Sequence, residues 1–99
     1  MARLDRDALV TAISAAVGAT PDPEGTADLI ADRGHINVAA SAAELKGAIQ
    51  RHGPLRGYRW IVINAGDLFS ASPLTLGTKV GILDPNGRVL KAADLPRPK

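Results

Sequence analysis

Apolar residues fall at Leu9, Ala12, Ile13, Ala16 and Val17, the i, i+3, i+4, i+7, i+8 spacing of one helical face. Asp5 offers an N-cap oxygen before this stripe and Gly18 a left-handed residue after it, so the pattern predicts a helix over 6–17. A second start signal follows: Asp22 as N-cap, Pro23 at the first helical position, and Glu24 at the positive end of the dipole. With Ala27, Ile30 and Ala31 inward, Leu29 near the stripe's edge and Gly34 as a stop, it predicts a second helix to about Arg33. His35 to Ala40 alternates weakly and reads as loop or a single β-bridge. Ser41-Ala-Ala-Glu44 has the form of a capping box, and Leu45, Ala48, Ile49 and His52 on one side predict a third helix over about 42–52, ended by Gly53-Pro54.

Beyond Pro54 the period changes. Tyr58-Arg-Trp-Ile-Val-Ile-Asn64 is nearly continuous in apolar character after Arg59, which predicts a central strand covered on both faces. Ala65 to Pro73, with Gly66, Ser70 and Ser72, reads as loop. Thr78 to Leu83 and Arg88 to Lys91 flank Asp84-Pro-Asn-Gly87, where Pro85 suits a type I turn and Gly87 a left-handed bulge position, so they predict a hairpin. The expected fold class is α+β: three N-terminal helices packed on a small C-terminal antiparallel sheet of about three strands ending in a β-hairpin. The chain reads as one domain over 1–95, with 96–99 a flexible, proline-containing basic tail.

Composition sharpens this picture in one respect. The 99 residues include 17 alanines and only 3% aromatics, so the core is built from small pieces and the domain is expected to lean on assembly for stability. Tyr58, Trp60 and Phe69 are the chain's aromatics, and they suit either the core's large pieces or the anchor of an interface. Without cysteine there is no disulfide, thiolate or Cys-based metal site. No apolar run approaches the roughly 20 residues of a membrane helix, and the amino terminus lacks an apolar leader core, so cytoplasm is the expected compartment.

Formal charge is +2, but residues 1–45 carry −4 and residues 46–99 carry +6. Catalytic groups are scarce. His35 and His52 sit beside helix-ending glycines and read as caps; Ser14, Ser41, Ser70 and Ser72 lack a nucleophile-elbow setting; Gly77-Thr-Lys79 lacks the spacer of a phosphate loop. Asp22, Glu24, Asp28 and Asp32 read as a solvated helix face, without the ligand alternation of a calcium loop. Neither a catalytic residue, a metal site nor a cofactor is expected.

The positive constellation is Lys46, Gln50 and Arg51 on the polar side of the third helix, followed by Arg56, Tyr58 and Arg59. Three helices leading to a strand and hairpin resemble the order of elements in winged-helix proteins, which implies DNA binding through Lys46, Gln50, Arg51, Arg56 and Arg59. Phe69-Ser to Leu74-Thr-Leu-Gly-Thr-Lys-Val80 resembles the F-T-x-x-x-x-L-T-P-T-L-K-V segment in the lid of adenylate-forming acyl-CoA ligases. That resemblance implies a lysine at Lys79 against an acyl-adenylate, but here the proline is missing and 99 residues leave no room for the large nucleotide-binding domain. The leading expectation is a small non-enzymatic structural or adaptor subunit that acts through a protein partner or self-association, with DNA binding as the alternative and no membrane role.

Overall fold

The structure, a computed structural model, describes residues 4–25, 27–51, 57–76 and 78–93. The first helix, α1 (Arg6–Val17), lies where its stripe predicts. An Asp5 carboxylate oxygen accepts the Ala8 N–H at 2.8 Å, and Gly18, at φ 70, donates its N–H to the Ser14 carbonyl. Leu9 and Ile13 are fully buried.

The second predicted helix does not form. The Asp22 carboxylate instead accepts the N–H groups of Glu24 and Ala27. Leu29–Ala31 and Gly34–Ala39 then pair antiparallel as β2 and β3, with Thr20–Pro21 as a short β1 on the outside. The local reason is visible at two glycines. Gly25 at φ +71 interrupts the turn in which a helix would nucleate, and Gly34 at φ +126 lets the chain pass so close to Tyr58 that an added Cβ would overlap the Tyr58 carbonyl. His35 is therefore a strand residue, its N–H on the Tyr58 carbonyl, and not a helix cap.

The third predicted helix is present as α2 (Ala42–Arg51). Its capping pair takes a variant form, the Ser41 hydroxyl donating to the Glu44 carboxylate at 3.3 Å while the Glu44 N–H reaches the Ser41 carbonyl. The strand predicted near 58–64 is β4 (Arg59–Ile63), buried at every position. A 3-10 turn (Ala65–Asp67) and α3 (Leu68–Thr75) replace the predicted loop, and the C-terminal hairpin is β5 (Gly81–Leu83) and β6 (Val89–Lys91) with a bulge between them. In its turn the Asp84 carboxylate accepts from Asn86 and Arg88, and Gly87 adopts φ +82.

These elements overturn the expected architecture of three N-terminal helices on a three-stranded antiparallel sheet. The sheet has six strands in the order β1-β2-β3-β4-β5-β6, and it is mixed: β3, β4 and β5 run parallel, while the outer pairs are antiparallel. Helices are interleaved with strands, α2 crossing from β3 to β4 and α3 from β4 to β5. Parallel neighbours require such crossovers, so the run of apolar residues in β4 carries the whole arrangement.

Alternation along the strands divides the core into two layers. On one face Ile36, Val38, Trp60, Val62 and Leu83 pack with Leu9 and Ile13 of α1. On the other, Ala39, Ile61, Ile63 and Ile82 pack with Leu45, Ala48 and Ile49 of α2 and Ala71 of α3. The fully buried Asn37 is satisfied within the second layer, accepting the Asp28 N–H at 2.8 Å and donating to the Ala48 carbonyl at 2.9 Å.

Trp60, the largest core side chain, lies across Gly81 in the β4–β5 register and donates its indole N–H to the Arg33 carbonyl. A Cβ at Gly81 would sit 2.5 Å from the indole ring and 2.6 Å from the Ala93 nitrogen. Gly81→Ala is expected to lower stability by about 1–3 kcal/mol through overpacking, whereas Gly66→Ala, which meets nothing within 4 Å, should stay within about 0.5 kcal/mol of wild type. Urea titrations of the two variants test this, and equal midpoints would contradict the packing described.

Candidate functional site

Of the residues predicted to form a nucleic-acid face, Lys46, Gln50 and Arg51 are exposed on α2, while Arg59 is buried in β4. Lys46 and Gln50 lie one turn apart. Arg51 is committed to an ion pair, its guanidinium donating to both oxygens of Asp28 at 3.0 and 3.2 Å. Arg59 is buried at the start of β4 and donates to the Thr78 carbonyl at 2.7 Å. Arg56 and His52 lie outside the described residues, as does the predicted flexible tail 96–99. The helix read as a groove-reading element is a crossover helix whose Leu45, Ala48 and Ile49 lie against the sheet, so the winged-helix order of elements is absent.

Asp28 is the hub of the polar side of this layer. It receives Arg51 from the last turn of α2, Arg6 from the first turn of α1 at 2.8 Å, and the Val38 N–H of β3 at 2.8 Å. Arg6 also donates to the Val38 carbonyl and lies 3.5 Å from Glu44. Burial alone would raise the Asp28 pKa, but the hydrogen bonds from Arg51 and Val38 and the charges of Arg51 and Arg6 outweigh it and hold the carboxyl below its ordinary value. The acids read from sequence as a solvated face thus include one that ties three elements together.

A second group of cations lies near the C-terminal end of α3. Lys91 donates to the Thr75 hydroxyl at 2.7 Å, Arg59 reaches the Thr78 carbonyl, and Lys79, at φ 66, lies near enough to act on Lys91. Burial, and then the Lys79 charge, lowers the Lys91 pKa. Cations at a helix C-terminus complement the negative end of its dipole, which explains why they assemble here. The Lys91–Thr75 pair has the residue types of an activated nucleophile, but Thr75 is fully buried, which shields its hydroxyl from solvent. Among the described residues, no group of three His, Asp or Glu side chains is placed to hold a metal ion. An open hollow of about 380 Å³, lined by Val17, Gly18, Thr20, Ile30, Ala31 and Asp32, offers Asp32 as the single ionisable group among the described residues.

The outer flank of α3 stands apart. Leu68, Ala71 and Thr75 turn inward, while Phe69, Ser72, Pro73 and Leu76 follow i, i+3, i+4, i+7 around a second face. Phe69 is 91% exposed and Leu76, the first residue past the helix, 69%. With the right-handed crossover of βαβ units, this flank faces away from α2 and toward the β6 side of the sheet. Pro73 has no N–H for the Phe69 carbonyl, so the backbone acceptor beside the exposed ring loses its helical donor. From Leu68 to Thr78 no residue carries a charge. The three aromatics therefore part company: Trp60 is core, Tyr58 is half exposed, and Phe69 stands in solvent. Sequence reasoning missed the site because residues 65–73 read as loop; only the helical assignment turns this spacing into a face.

Comparison with family models, curated proteins and solved structures finds no match.

The Asp28 carboxylate, with its pKa lowered by folding, stabilises the native state above its unfolded value near 3.8, and that contribution is lost as pH falls through the still lower folded value. Asp28→Asn is expected to cost about 1–3 kcal/mol at pH 7 by leaving two guanidinium groups short of an acceptor. Denaturation at pH 7 and at about pH 3 should show the gap between wild type and variant narrowing in acid; a gap independent of pH would remove Asp28 from this role.

Proposed function

We propose that this chain is a non-enzymatic interaction domain, a structural or adaptor subunit that acts through protein–protein contacts made by the outer flank of α3. The observation that carries the reading is Phe69. In a chain with so few aromatics, its one phenylalanine is 91% exposed on an uncharged helical face beside Leu76, when burying such a side chain is worth about 1.5–3 kcal/mol. Aromatic residues on an exposed, apolar, uncharged patch are the composition of an interface centre. Charges elsewhere are less suited to a contact face: Arg51, exposed on α2 beside Lys46 and Gln50, is ion-paired with Asp28, and Arg59 is buried against the Thr78 carbonyl.

Both edges of the sheet are poor docking strands by comparison. β1 has two residues and a proline, and β6 has three residues, a neighbouring bulge and a lysine turned inward to Thr75. The helix face is the better-supported contact.

Placing the photoreactive amino acid benzoylphenylalanine at position 69 in extracts of the source cells tests the reading. A discrete protein adduct is expected at 69 and none at the exposed Ala15 of α1. In the wild-type background, Phe69→Asp should weaken association with the adduct protein by about tenfold or more, as for an interface anchor. Equal labelling at both positions, or no adduct at 69, would refute the assignment.

A further inference from the structure

Resting on that reading, we infer that the occupant of the α3 flank is a second copy of this chain, docked through an antiparallel α3–α3 contact about a two-fold axis. The face is built for self-pairing. Phe69 and Leu76 lie at opposite ends of the stripe with Ser72 and Pro73 between them, so a two-fold axis beside Pro73 sets each Phe69 against the partner's Leu76. In an isologous interface every residue meets its symmetry mate's neighbourhood, and any charge in the patch is duplicated across the axis. The run from Leu68 to Thr78 contains no charge to oppose, whereas a surface selected for a different protein commonly carries charges that steer and discriminate.

Area supports the same occupant. Phe69, Pro73 and Leu76 together expose on the order of 350 Å² of apolar surface. At roughly 60% apolar content this corresponds to about 600 Å² per copy, or about 1,200 Å² in all, the size at which specific interfaces begin. At the low end of specific interface sizes, a weak association with a dissociation constant of roughly micromolar is expected. Its axis runs beside α3, away from α1, so α1 and the Asp28 network stay outside the contact.

Sedimentation velocity from about 5 µM to about 500 µM, spanning micromolar dissociation, reads the equilibrium directly. The wild-type chain of 10.3 kDa is expected to pass from monomer to dimer across that range. Phe69→Asp and Leu76→Asp should each weaken association by about tenfold or more, with unchanged far-UV circular dichroism because both side chains are exposed. Since the chain lacks cysteine, Pro73→Cys under mild oxidation should form a disulfide-linked dimer, while Ala15→Cys on α1 should not. A wild-type chain that stays monomeric throughout, or a dimer insensitive to both aspartates, overturns the second copy as occupant. If the chain is monomeric but a Phe69-dependent adduct with a different protein forms, the self-pairing falls while the interaction reading stands. Phe69-dependent binding to phosphatidylcholine vesicles by a chain that does not self-associate also overturns it, in favour of a lipid surface. Neither adduct nor dimer would remove both.

Discussion

Every residue of β4, Arg59 through Ile63, is buried, and a strand in that position needs hydrogen-bonded neighbours on both edges and an apolar layer on each face. Those demands account for most of the molecule. The edges are filled by β3 and β5, both parallel to β4, and parallel pairing in turn requires the crossover helices α2 and α3. The crossovers cover one face, and α1 covers the other. The abundance of alanine has a use in this scheme. Ala39, Ala48 and Ala71 let helices approach the sheet closely, while one large ring, Trp60, fills the opposite layer against Gly81.

Charge follows from the same arrangement. The sequence divides into an acidic first half and a basic second half, but folding sets the two against each other. Asp28 from the acidic half receives Arg51 from the basic half, with Arg6 beside it, and these contacts join α1, β3 and α2 around the buried Asn37. Arg59 and Lys91 lie near the C-terminal end of α3, on the Thr78 carbonyl and the Thr75 hydroxyl, where the helix dipole favours cations. Positive charge that looks like a surface property in the linear sequence is thus partly a device for closing a helix. Among the exposed surface, the uncharged flank of α3 with Phe69 at its head is of the opposite character, and the proposed interaction rests on it.

Signals confined to four or five residues were legible in advance. Asp5 and Gly18 bound α1, Ser41 and Glu44 start α2, the apolar run after Arg59 is a strand covered on both faces, and Asp84 to Gly87 form the hairpin turn. Each is a statement about a backbone dihedral, a nearby hydrogen bond or a local apolar run, and the chain holds the relevant atoms close together whatever the rest of the fold does. The candidate site was half legible. Phe69 was visible as one of three aromatics suited to core or interface, but choosing between those roles required knowing which way α3 turns it.

Tertiary structure decided the rest. Leu29 to Ala31 has a helical stripe too weak to prevail, and His35 to Ala39 has an alternation too faint to name a strand. Both become strands because β4 offers an open edge that β3 can pair with and β3 then presents another to β2. Leu68 to Thr75, with two serines and a proline, becomes a helix because the chain must cross from β4 to a parallel β5 and has an apolar sheet face to cover. By itself the sequence determined where the backbone turns and which strand is central. Which segments pair with that strand, and which side chains remain outside once they do, depends on atoms distant in sequence, and only the folded chain brings those together.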